Sequence, residues 1–136
     1  MVNKGQYWYG LSRTFQQGYA TIAAGSTGKL SHFVAPWACK IVKCSISVDS
    51  AITGAATNNQ ILRFGNAGPS GSGTSIIATK TFGSGTDATA FDENDLGAVS
   101  NNLLNEGDVV YFEKAENGSG AIMPALLAKI DIVRVA

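Results

Sequence analysis

Along Lys40–Asp49 the side chains alternate, with Val42, Cys44, Ile46 and Val48 on one face and Lys43, Ser45 and Ser47 on the other. A period of two marks a half-buried strand, because successive side chains of an extended chain point to opposite faces. The same grammar recurs along the sequence. It predicts strands over Lys29–Ala35 (ended by Pro36), 39–49, 59–65, Ser75–Phe82, Val109–Lys114 and Leu126–Val135. In the last of these, Ala128, Ile130 and Ile132 oppose Lys129, Asp131 and Val133. Turns rich in glycine separate them: Gly25-Ser26-Thr27-Gly28, Asn66 to Gly73, Gly83-Ser84-Gly85 and Asn117-Gly118-Ser119-Gly120. Residues 86–105 carry no clear period. Asp92-Glu93-Asn94-Asp95 would cap a short helix reaching Asn102, and extended structure with turns fits equally well.

Seven or eight short strands broken by glycine turns predict an all-β chain. The expected architecture is a single-domain antiparallel β-sandwich, jelly-roll-like, over residues 19–136. Residues 1–18 form an N-terminal arm or edge strand ahead of it. There Tyr7, Trp8 and Tyr9 stand side by side, and Leu11, Arg13, Phe15 and Gln17 alternate, but glycines at 5, 10 and 18 interrupt the pattern. Tyr, Trp and Arg dominate the energetics of protein interfaces. Tyr7, Trp8, Tyr9, Arg13 and Phe15, with Trp37 after Pro36, are therefore the candidate partner-contacting residues. The alternatives are that the arm folds back over its own core and that Trp37 is a lid on the sandwich end.

Composition narrows the partners. The 136 residues fit one domain, and only 15% are charged, below the ~25% usual for soluble domains. Such a surface is covered by Ser, Thr, Asn, Gln and Gly or is partly hidden in an assembly. Ten basic and ten acidic residues cancel, so no whole-molecule field attracts a polyanion, and nucleic acid is not an expected partner. Cys39 and Cys44 lie five residues apart on one strand. Uniform alternation would place them on opposite faces about 16 Å apart, too far for a disulfide. Free thiols suit a reducing cytoplasm. The chain has no apolar run of signal-peptide or membrane-span length, so synthesis in the cytoplasm and no membrane partner are expected.

Candidate chemistry is thin. His32 is the sole histidine, and no Gly-x-Ser-x-Gly elbow exists to pair with it. One histidine and two cysteines on opposed faces do not make a zinc site. The Asp92–Asp95 cluster lacks the spacing of a calcium loop, and Gly28-Lys29 fails the phosphate-loop pattern. The expectation is a non-enzyme with no cofactor and no metal.

Phe33-Val34-Ala35-Pro36-Trp37, the Lys40–Asp49 strand, Ala51-Ile52-Thr53-Gly54-Ala55 and Glu106-Gly107-Asp108-Val109-Val110-Tyr111-Phe112-Glu113 resemble a group of small tailed-bacteriophage virion proteins. These are capsid decoration, or cement, proteins and some tail or head-fibre modules. The resemblance spans residues 30–135 and rests on turns and strand starts. It implies a homo-oligomer, often a trimer, that sits on the outer surface of an assembled capsid and bridges copies of the major capsid protein. The rival expectation is a fibre module that binds a host receptor or carbohydrate, with Trp37 beside Asn58 and Asn59 as the sugar platform.

Overall fold

The structure is a computed structural model that describes residues 11–135. Among the described residues nine strands follow one another: β1 (Ser12–Tyr19), β2 (Gly28–Val34), β3 (Cys39–Val48), β4 (Asn59–Asn66), β5 (Ser75–Thr81), β6 (Asn94–Asp95), β7 (Leu103–Leu104), β8 (Val109–Asn117) and β9 (Leu126–Arg134). One sheet has the order β1-β9-β3, with β6 and β7 sharing the far side of β3. The other runs β2-β8-β4-β5. Every strand pair is antiparallel, and the two sheets pack as a β-sandwich. The described residues include no helix. Asp92–Asp95 enters β6 instead, where the Asn94 side chain donates to the carbonyls of Asp92 (2.9 Å) and Thr89 (3.2 Å). An asparagine that binds local carbonyls competes with helix.

The core lies between the sheets. Ile41, Cys44, Ile46, Val48, Ala128, Ile130 and Ile132 meet Leu62, Phe64, Ile77, Val110 and Phe112, all buried. Burying each of the larger side chains contributes about 1.5–3 kcal/mol.

Three bulges decide which residues reach that core. The register passes from Ser31↔Tyr111 to Phe33↔Val110, leaving His32 unopposed in β2. It passes from Ile41↔Ile132 to Lys43↔Asp131, leaving Val42 unopposed in β3. In β5, Ile77 is skipped between Ala78↔Phe64 and Ile76↔Gly65. Each extra residue resets the alternation. Val42 is therefore turned out, 48% exposed, although uniform alternation groups it with Cys44. Cys39 and Ile41 point inward before the bulge, and Cys44, Ile46 and Val48 after it. The expectation that the two cysteines face opposite ways is thus corrected. Both are buried on the core side, as free thiols.

Sheet edges are covered by side chains and loops. On β5 the carbonyl of Ile77 accepts from the Ser100 amide (2.8 Å) and that of Ile76 from the Asn101 side chain (2.9 Å). Among the described residues β1 is the edge of the other sheet, paired only with β9. A carbonyl of β1, that of Phe15, is met by the His32 ring of β2 at 2.9 Å.

Candidate functional site

On β1, Arg13, Phe15 and Tyr19 are opposite Ile132, Ile130 and Leu126 and so lie on the core side of the sheet. Phe15 is half-buried and stacks on Phe33 of β2, with centroids 4.3 Å apart and planes 7° from parallel. Trp37 follows β2, is half-buried and packs against the core as a lid. Two guanidiniums approach its ring, Arg13 at 6.0 Å and Arg134 at 5.2 Å from the centroid. A cation over an indole face is favoured by the ring quadrupole. The structure therefore brings Arg13 and Trp37 together at one pole, with Phe15 one inward position further along β1. Tyr7, Trp8 and Tyr9 lie outside the described residues.

The sugar platform of Trp37 with Asn58 and Asn59 does not form. Val34↔Val109 and Asn59↔Asn117 are at opposite ends of β8, so Trp37 and Asn59 occupy opposite poles. Asn59 is also buried, donating to the Ala55 carbonyl (2.9 Å) and accepting from Asn117 (2.9 Å).

His32 is buried between the sheets because the β2 bulge turns it inward. Its Nε2 lies 2.9 Å from the Phe15 carbonyl and its Nδ1 2.8 Å from the Tyr19 hydroxyl. A carbonyl only accepts, so Nε2 carries the proton and Nδ1 accepts from Tyr19. Phe64 and Phe33 edge the ring at 5.0 and 6.0 Å. Burial holds the imidazole pKa below its ordinary value, and burial pushes the Tyr19 phenol up to about 12. Both nitrogens are committed to protein atoms, which makes His32 a clasp between β1 and β2. Burial likewise pushes the Cys39 thiol up to about 11 and the Cys44 thiol to about 12.

A second buried polar group pins the loop between β1 and β2. The Lys114 ammonium, with no exposed surface, donates to the carbonyls of Ala23 (3.1 Å) and Ser26 (2.7 Å) and to the Glu116 carboxylate. All three of its protons are used. Among the described residues no group of three His, Cys, Asp or Glu side chains is placed to hold a metal ion.

The outer face of the β1-β9-β3 sheet carries an ionic network. Glu93 accepts from Lys129, Lys43 (2.8 Å) and Ser45 (3.0 Å), and these donors, Lys129 foremost, hold its carboxyl pKa down at about 2. A shallow concavity of about 120 Å³ lies there, lined by Gln16, Ser45, Ser47, Glu93, Leu127 and Lys129. A larger groove of about 290 Å³ is lined by Asn66, Ser75, Asn101, Asn102 and Leu103.

Sequence reasoning missed Phe91. It is 80% exposed, and its φ of 58° lies in the left-handed region. That conformation is costly for a bulky residue and is retained only where the surroundings impose it. Here the Phe91 amide donates to the Val48 carbonyl (2.9 Å), and the following Asp92 side chain accepts from the Glu93 amide (3.0 Å). In sequence, Phe91 falls in the stretch 86–105 that carries no clear period, so no alternation assigns its side chain to a face, and Asp92 beside it is equally a helix cap or a turn residue.

No protein-family model matches the chain, and no curated protein matches it either.

Proposed function

We propose that this is a structural virion protein that binds the outer surface of an assembled phage capsid as a homo-oligomer, a trimer, and stabilises the shell by bridging major capsid protein subunits. The observation that carries the reading is the Arg13–Trp37–Arg134 stack at the pole where the described chain begins, beside a β-sandwich whose strand starts carry the Phe33–Trp37 and Glu106–Glu113 motifs. We read the order β1-β9-β3-β6 against β2-β8-β4-β5 as a jelly roll, an architecture used by viral capsid and lectin domains. A cement protein touching several subunits gains from effective concentration, so modest contacts suffice. It raises shell stability because it binds the assembled state and not the free subunits. No catalysis is part of this role.

A second reading, a head- or tail-fibre module for a host receptor or carbohydrate, is favoured by the asparagine-lined groove at Asn66, Asn101 and Asn102. Co-sedimentation with capsids of its own virus that lack the protein separates the two. Saturable binding at a fixed ratio to capsid subunits, with a gain in heat resistance, is the expected result. Absence of binding would sink the cement reading, and retention on a glycan array would then support the fibre module.

A further inference from the structure

We propose that copies of this protein associate head to tail, the Phe91 corner of one copy seating against the Lys40–Val42–Leu103 corner of the next. The contact deepens the oligomer named in the cement reading, yet it belongs to the free protein and can fail while capsid binding stands.

The two corners lie at opposite ends of β3. Near its start, Ser12, Val133, Lys40 and Leu103 form a row across four strands on the outer face. Leu103 is 68% exposed, and bulged Val42 is turned out beside it. Lys40 is exposed and makes no ion pair among the described residues. This corner is apolar with one unpaired cation.

At the other end, Phe91 hangs from Val48, the last residue of β3. Asp49 and Asp92 flank it, and Asp87 lies four residues upstream on the same segment, which isolated bridges tie to the end of β3 and the loop after it (Val48↔Ala90 and Ile52↔Ala88). All three carboxylates are exposed and unpaired with any cation among the described residues. This corner is an aromatic anchor ringed by acid, complementary in charge and polarity to the first. An exposed aromatic held rigidly in a costly conformation has the form of a preorganised anchor.

Ten residues of strand, about 30 Å, separate the corners, so one molecule cannot satisfy both by itself. Unlike patches on one chain make a heterologous contact, which closes into a ring when the rotation allows.

The test is sedimentation equilibrium of the purified protein from micromolar to millimolar concentration, with variants. Wild type is expected to exceed the monomer mass. Phe91→Gly should weaken self-association at least about tenfold while its Tm stays level or rises, since glycine accepts the backbone angle. Lys40→Asp and Asp92→Lys should each weaken it, and the double variant should recover the wild-type mass. A monomeric wild type would overturn the proposal, as would a Phe91→Gly protein of unchanged mass or a charge reversal that fails to compensate. A Phe91→Gly protein that keeps its mass but leaves capsids would assign Phe91 to the shell and overturn it equally.

Discussion

Replacing His32 with leucine tests the clasp between the two sheets. The substitution removes the donor to the Phe15 carbonyl and the acceptor for the Tyr19 hydroxyl. Tyr19 has a fallback, because its hydroxyl lies 3.3 Å from the Ser31 carbonyl. The Phe15 carbonyl has none in the clasp and is part-buried, so its loss falls within the about 1–3 kcal/mol that a desolvated acceptor without a donor costs, below the upper end. A net loss of about 2 kcal/mol at pH 8 corresponds to a Tm lower by about 8 °C for a domain of this size.

The pH dependence sharpens the test. Burial lowers the native imidazole pKa, so below the unfolded value of about 6.5 the unfolded chain binds a proton that the native chain refuses. Stability of the wild type therefore falls as pH drops below about 6.5, with a slope of at most about 1.4 kcal/mol per pH unit. The neighbours at the ring are Tyr19, Phe33 and Phe64, none of which offsets a positive charge with its own. His32 is the only histidine, so no other imidazole contributes to that slope. His32→Leu lacks it, and the gap between the two proteins narrows from pH 8 towards pH 5.5. Urea unfolding followed by tryptophan fluorescence at half-unit pH steps measures both curves. Parallel curves, or an unchanged midpoint at pH 8, would refute the reasoning.

Two further outcomes are expected. In Gly65→Ala the new Cβ would fall 2.3 Å from Cζ and the hydroxyl of Tyr111, which lies across the strand under Lys29, so thermal unfolding should show a loss of about 1–3 kcal/mol. Adding Tyr111→Ser removes the clash, and the two losses should prove less than additive. Cys39 and Cys44 should resist a thiol reagent at pH 8 in the native protein and react at once in denaturant, because burial suppresses both thiolates; fast labelling of the folded chain would contradict their place in the core.

The long strands were legible in the sequence because period-two alternation and glycine turns are local signals. β2, β4 and β5 fall within a residue or so of their expected limits, and β9 buries the face expected of Ala128, Ile130 and Ile132. The bulges were not legible. His32, Val42 and Ile77 carry no glycine or proline to announce an extra residue, and the decision is made by the partner strand. That one omission misplaced Val42 and set Cys39 and Cys44 on opposite faces. β6 and β7 are two residues each, too short for a period, and β6 is braced by side chains such as Asn94. The Arg13–Trp37–Arg134 stack joins residues far apart in sequence, and the pairing of β1 and β9 that assembles it is a property of the fold.

That pairing also sets how the molecule bears load. Ser12 is opposite Val133, and the Arg134 amide bonds to the Leu11 carbonyl at 2.8 Å, so the described chain enters and leaves at the same pole. Tension between the two ends would open the β1–β9 ladder rung by rung, as a zipper, and not shear all its bonds together. The sandwich is thus mechanically soft to force applied at Leu11 and Arg134, where one rung at a time carries the load.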